Sequence, residues 1–212
     1  MVLALLLSGC AWFETKEEKP AQDLARDGME AYQNRKYEKA IESFEKIKDW
    51  YPFSKFATLA DLKIADAHYQ LKQYDDAVFS YEEFERLHPR NEAIPYVIYQ
   101  IGLCYFEQID TVDRDQTSTH KALKNFDRLT RQHPDDTYSI AAREHIKTCF
   151  KSLAGHDFYV GLFYYKAQHY KAALQRFKSV LSNYPDAGVH YNALQYITIC
   201  QNAIDRQDAG QR

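Results

Sequence analysis

The sequence predicts an all-α fold of stacked helical hairpins, and three observations predict it. An aromatic–proline or histidine–proline pair recurs four times, at Tyr51-Pro52, His88-Pro89, His133-Pro134 and Tyr184-Pro185. Twelve residues before each of these prolines stands an alanine (Ala40, Ala77, Ala122, Ala173), and eight before it an aromatic (Phe44, Tyr81, Phe126, Phe177). A small residue (Gly28, Ala65, Gly102, Gly161) opens each interval, and apolar residues recur at three- and four-residue spacing from Asp23 onward. Proline ends each unit because it cannot continue a helix. Single hairpins cannot bury their apolar faces, so at least three must stack.

The units follow in order. The first carries Gly28, Ala40, Phe44, Ile47 and Pro52, and the second Ala65, Ala77, Tyr81, Phe84 and Pro89. The third carries Gly102, Ala122, Phe126, Leu129 and Pro134, and the fourth Gly161, Ala173, Phe177, Val180 and Pro185. In each, the small residue is expected to let the two helices approach, facing the alanine, while the aromatic fills the gap between stacked hairpins. The interval from small residue to alanine is twelve in units one, two and four but twenty in the third. The eight extra residues predict an exposed loop over Gln108 to Thr117, with Thr117 and Ser118 as N-caps of the next helix. Only Gly155 and Gly161 interrupt the stretch Tyr138 to Lys166, which predicts one unusually long helix. A fifth, partial unit starts near Ala187 and Tyr191 and fades into a polar tail, giving a repeat domain over 23–205 and a tail over 206–212.

Composition bounds the function. At 45% hydrophobic the chain can bury a core, and its net charge of -3, mixed along the helices, gives no nucleic-acid footprint. The eight histidines form no metal-ligand or zincin spacing, seven glycines form no phosphate loop, and no nucleophile elbow is present. No enzyme activity, metal or cofactor is therefore expected. Cys104, Cys149 and Cys200 lie singly in helical patterns and read as small buried hydrophobes. His88 and His133 occupy the closing slot held elsewhere by tyrosine, a turn-packing role.

The first ten residues differ from the rest. Met1 to Leu7 is apolar but too short to span a bilayer, and Leu7-Ser8-Gly9-Cys10 resembles the lipobox of bacterial lipoproteins. Residues 1–9 then read as the end of a signal peptide, without the usual basic stretch, and Cys10 as the acylated residue. That resemblance, with Ala11 rather than Asp after the cysteine, implies the outer membrane, with the domain on its periplasmic face. Phe13 to Gln22 is polar, contains Pro20 and reads as a tether, so 10–22 form a lipidated linker.

The spacing is that of the tetratricopeptide repeat. Beyond the repeat, the chain from Cys10 to about Ala203 resembles the BamD family, lipoproteins of the machinery that assembles outer-membrane β-barrels. The residues that carry this are Tyr37-Glu38-Lys39-Ala40-Ile41-Glu42-Ser43-Phe44, the insertion Asp113-Arg114-Asp115-Gln116-Thr117, and the helix Phe158-Tyr159-Val160-Gly161-Leu162-Phe163-Tyr164-Tyr165. The resemblance implies a scaffold whose amino-terminal units receive unfolded barrel clients. Its carboxy-terminal units would dock on a BamA-like β-barrel subunit, beside other assembly lipoproteins. Another anchored scaffold, such as a secretin pilotin or cell-envelope organiser, is the alternative.

Two sets of residues are candidates for binding. Four residues after each small residue an aromatic recurs, at Tyr32, Tyr69, Phe106 and Tyr165, followed by Gln33, Gln70, Glu107 and Lys166. This reads either as an aromatic ladder for an extended peptide or as rings packed between neighbouring helices. Asp113, Arg114 and Asp115 form either a docking knob or a solvated loop. Arg176, beside the core residue Phe177, is expected to point outward, either as a solvated surface arginine or as a partner for an acidic residue of another chain.

Overall fold

The computed structural model describes residues 19–184 and 187–210. The leader, the lipobox with Cys10 and the tether as far as Glu18 lie outside the described residues. Within them the chain forms nine helices: α1 (Ala21–Gln33), α2 (Tyr37–Trp50), α3 (Ala57–Gln70), α4 (Tyr74–Leu87), α5 (Ile94–Phe106), α6 (Thr117–Gln132), α7 (Thr137–Lys166), α8 (Tyr170–Asn183) and α9 (His190–Gly210). Each packs against its neighbours in sequence, and α5 also touches α7. This nearest-neighbour stacking is what a solenoid of repeats requires. The tether ends earlier than its composition predicts, because Pro20 caps α1 and the helix starts at Ala21. The polar tail is helical as far as Gly210.

Local rules explain the boundaries. Tyr51, His88, His133 and Tyr184 each end a second helix with nearly the same φ (-134°, -126°, -135° and -131°). Tyr51, His88 and His133 take this non-helical backbone, with ψ of 49°, 52° and 62°, just before a proline, which disfavours the α region for its predecessor. Inside the hairpins, Arg35, Lys72 and Gln168 hold φ of 58°, 59° and 61° at equivalent positions. Their left-handed turn lets the next N–H reach back beyond the usual helical partner, as from Lys36 to the Ala31 carbonyl at 2.8 Å. Unit three replaces this turn with its insertion.

The small residues work differently from the expectation. A Cβ on Gly28, Gly102 or Gly161 would stand 2.8, 2.5 or 2.6 Å from the ring of Phe44, Phe126 or Phe177. The glycine therefore seats the aromatic of its own hairpin, not the alanine. The ring also reaches the following hairpin: Phe126 stacks on His145 of α7 at 5.1 Å, and Phe177 on Tyr196 of α9 at 5.1 Å. A flat ring fills both gaps, whereas an alanine methyl is too short to do so. Phe44, Phe126, Phe177 and the alanines Ala40, Ala77, Ala122 and Ala173 are all fully buried.

The long helix appears as predicted, running 30 residues, or roughly 45 Å at 1.5 Å per residue. Asp136 caps it by accepting the Tyr138 N–H at 2.8 Å. Its first half packs on unit three, through Tyr138 against Tyr96 and Tyr99. Its second half is the first helix of unit four, with Phe158 against Phe177. One rigid element thus ties the two units together. Cys104, Cys149 and Cys200 are buried and unbridged, and desolvation raises the Cys104 and Cys149 thiols to about 12.

Candidate functional site

The insertion is not a free loop. It spans 107–116, and Thr117 is already helical, so neither Thr117 nor Ser118 caps α6. Gln116 stands at the N-cap position, and the Asp115 carboxylate accepts the Thr117 N–H at 2.8 Å. Gln116 is buried and acts as a latch. Its amide nitrogen donates to the carbonyls of Thr111 and Arg114 (3.2 and 3.1 Å), while its oxygen accepts from Thr119 and Ser152 at 2.9 Å each. His156 on α7 adds a contact of 2.7 Å to the Val112 carbonyl. Beside Gly155, Val112 Cγ1 comes within 2.9 Å of where a Cβ would stand. The insertion is therefore fixed to the long helix.

This places two of the predicted docking residues in one cavity. Asp115 and Arg176 line a depression of about 450 Å³ with Gln116, His120, His156, Asp157 and Tyr184 among their neighbours. Asp113 and Arg114 stay exposed on the loop. Hydrogen bonds hold both flanking carboxyls below their usual range, Asp113 chiefly through Thr111 and Asp115 through Thr117. Arg176 is exposed, as expected, but it is not a free cation. Its guanidinium pairs with Asp157 at 2.9 Å, and Asp157 also accepts from Ser179 at 2.6 Å.

Asp157 was not singled out from sequence, yet a signal exists. It lies four residues before Gly161, as Asp61 lies four before Ala65. Both are buried acids on otherwise apolar faces, and such acids need partners. Asp61 meets Lys48 at 2.9 Å and His88 at 3.0 Å. His88, which also packs on Phe84, thus joins a buried polar network as well as a turn.

The aromatic ladder divides. Tyr32, Tyr69 and Tyr165 are half-buried, each against the tyrosine that opens its second helix (Tyr37, Tyr74 and Tyr170, at 5.3, 5.8 and 5.9 Å). Phe106 packs instead on Phe126 and His145. Desolvation is the main cause raising the Tyr32 and Tyr69 phenols to about 12, so both remain neutral donors near pH 7. Gln33 and Gln70 are exposed beside them. The rings serve the core with one face, and the glutamines remain accessible.

Between the first two rungs and unit three runs a polar cluster that the sequence reading missed. Buried Asp66 on α3 accepts from Lys63 (2.7 Å), Tyr81 (2.8 Å) and Tyr96 (2.7 Å). Lys63 also lies over the Tyr32 ring, 5.0 Å from its centroid. The cluster couples α1, α3, α4 and α5 and so fixes the relative pose of the amino-terminal first helices.

Stacked hairpins, half-exposed rings and a latched insertion define a tetratricopeptide-type helical solenoid. Among the described residues no group of histidine, cysteine and carboxylate side chains is arranged to hold a metal. No described helix is long and apolar enough to cross a membrane. Residues 17–212 match the YfiO family, described as outer membrane lipoprotein, and the chain belongs to that family. It is 30% identical over 189 residues to the outer membrane protein assembly factor BamD of Caulobacter vibrioides, covering 87% of this chain. The chain spans about three-fifths (62%) of that relative. The BamD of Rickettsia prowazekii is 31% identical over 186 residues, covering 87% of this chain and 74% of its own length. Among solved structures, a thermophilic TPR protein of Thermus thermophilus superposes with a TM-score of 0.45 at 15% identity, covering 87% of this chain and 99% of its own.

Proposed function

We propose that this chain is a lipid-anchored scaffold of the outer membrane's periplasmic face that takes part in assembling β-barrel outer membrane proteins. The family match over residues 17–212 carries this reading, supported by relatives named as outer membrane protein assembly factors. The mechanism is binding rather than catalysis. The amino-terminal first helices present Tyr32, Gln33, Tyr69 and Gln70 to an extended client segment, with Phe106 as the inner rung. Ring edges supply apolar contact, and the amides of Gln33 and Gln70 pair with the client's backbone. Asp113, Arg114, Asp115 and Arg176 form the docking surface for a BamA-like β-barrel subunit in company with other assembly lipoproteins. A partner carboxylate reaching Arg176 competes with Asp157, which keeps that contact reversible. Acyl chains on Cys10 hold both events at the membrane and raise their effective concentration.

The test is fluorescence anisotropy with a labelled peptide from a barrel strand. Gln33→Ala with Gln70→Ala touches only exposed side chains, so helicity stays constant while affinity falls several-fold. Unchanged affinity in that double variant would remove the client groove from these rungs.

A further inference from the structure

A second surface lies apart from the client rungs, along the seam of α6 and α7. Leu123 of α6 with Ile146 and Phe150 of α7 floors a groove of about 450 Å³. These side chains are half-buried: Leu123 and Ile146 back onto the central core, and Phe150 rests against Tyr184 at 6.3 Å. The wall from α6 is His120, Lys124, Asp127 and Arg131. Spaced four, three and four apart, these residues share one face of the helix. From His120 to Arg131 the wall runs roughly 16 Å, about three helical turns.

The groove's own lining carries Lys124 and Arg131 against Asp127, one cation in excess. Residues 117–152 hold seven Lys and Arg against four Asp and Glu, within a chain whose net charge is -3. The one acid of the wall, Asp127, is neutralised by Arg131 at 2.7 Å. Lys124 is exposed and has no ion-pair partner among the described residues. A short apolar floor beneath a three-turn wall with one cation in excess is complementary to an amphipathic helix with carboxylates flanking its apolar stripe. A basic segment would meet repulsion, and a purely polar one would leave the floor wet.

We propose that the α6–α7 groove is a docking site for an acidic amphipathic helix from a partner polypeptide, separate from client binding at Tyr32 and Tyr69. The site uses Leu123, Ile146 and Phe150 as the apolar seat and Lys124 as the principal charge contact.

The experiment uses the full chain and a labelled fourteen-residue peptide with leucines at i, i+3, i+4 and i+7 and glutamates elsewhere, read by anisotropy. Two control peptides replace the leucines by serine or the glutamates by lysine. The expected result is saturable binding of the first peptide only, weakened about tenfold by Lys124→Glu. Amide NMR perturbations would fall within α6 and the first half of α7. Equal binding of the serine peptide, no effect of Lys124→Glu, or the absence of saturable binding would each overturn the proposal. So would Lys124-dependent binding to phosphatidylglycerol vesicles without peptide binding, which would make the groove a lipid-headgroup surface. Because Lys124 is remote in sequence from Gln33 and Gln70, the Lys124→Glu variant retains client-peptide affinity.

Discussion

Replacing Gly102 by alanine tests how the hairpins close. The added Cβ would stand 2.5 Å from Phe126 Cε1 and 2.7 Å from Cδ1, well inside van der Waals contact. The ring cannot move aside freely. Phe126 is fully buried, stacked on His145 at 5.1 Å and hemmed by Tyr99 at 5.8 Å and Phe106 at 6.1 Å. Alanine in a helix interior gains about 1 kcal/mol over glycine, while overpacking a tight core costs about 1–3 kcal/mol. The collision at 2.5 Å sits at the severe end of that range, so it should win, for a net loss of up to about 2 kcal/mol. Each kcal/mol corresponds to a Tm change of roughly 2–4 °C at this chain length. Gly155→Ala is the control. Its Cβ would meet Val112 Cγ1 at 2.9 Å, but Val112 is 38% exposed on the insertion and can give way. That variant should keep most of the propensity gain. Thermal and urea melts followed by circular dichroism at 222 nm decide between them. A Gly102→Ala protein as stable as its parent would refute the glycine-seated ring.

Further predictions concern charge and anchoring. Asp66→Ala leaves the buried Tyr81 hydroxyl without its acceptor and strips Lys63 of its partner, so urea unfolding should report a loss of about 3 kcal/mol; a loss below the scatter of exposed-site variants would mean the cluster is dispensable. Burial lowers the His145 imidazole below its ordinary 6.5, so the unfolded chain binds that proton more readily. The associated stability is complete above about pH 6.5 and declines as pH falls through that value. Tm should therefore drop between pH 7.5 and 5.5, and His145→Gln should flatten that slope, equal slopes speaking against it. Cys10→Ala should move the protein from the membrane to the soluble periplasmic fraction; unchanged fractionation would contradict lipid attachment at Cys10.

The repeat was legible in the sequence because its signals are local. Proline acts on the residue before it, so Tyr51-Pro52 and its counterparts marked helix ends without reference to the rest of the fold. Helical spacing likewise placed Phe44, Tyr81, Phe126 and Phe177 in the core, and the absence of breakers between Tyr138 and Lys166 gave the long helix. The surfaces were less legible. The Gln108–Thr117 insertion had no apolar period and read as exposed, as all of it but Ile109 and Gln116 is; its anchoring was hidden, because the Gln116 latch depends on Ser152, 36 residues away. Arg176 is exposed as expected, but its intramolecular ion pair was hidden for the same reason. Its partner Asp157 lies 19 residues earlier, and only the packing of α7 on α8 brings them within 2.9 Å.

By itself the sequence determined the class of fold, the order of its helices, the proline-marked ends of the second helices and the identity of its core residues, since dihedral preference and hydrophobic periodicity act over one or two turns. Tertiary structure alone decided which face each polar side chain meets. It set the glycines against rings rather than alanines, drew Asp61, Asp66 and Asp157 into buried networks, and lined the α6–α7 groove with a basic wall. Such pairings follow from how helices distant in sequence are stacked, and a buried charge is stable only where that stacking supplies its partner.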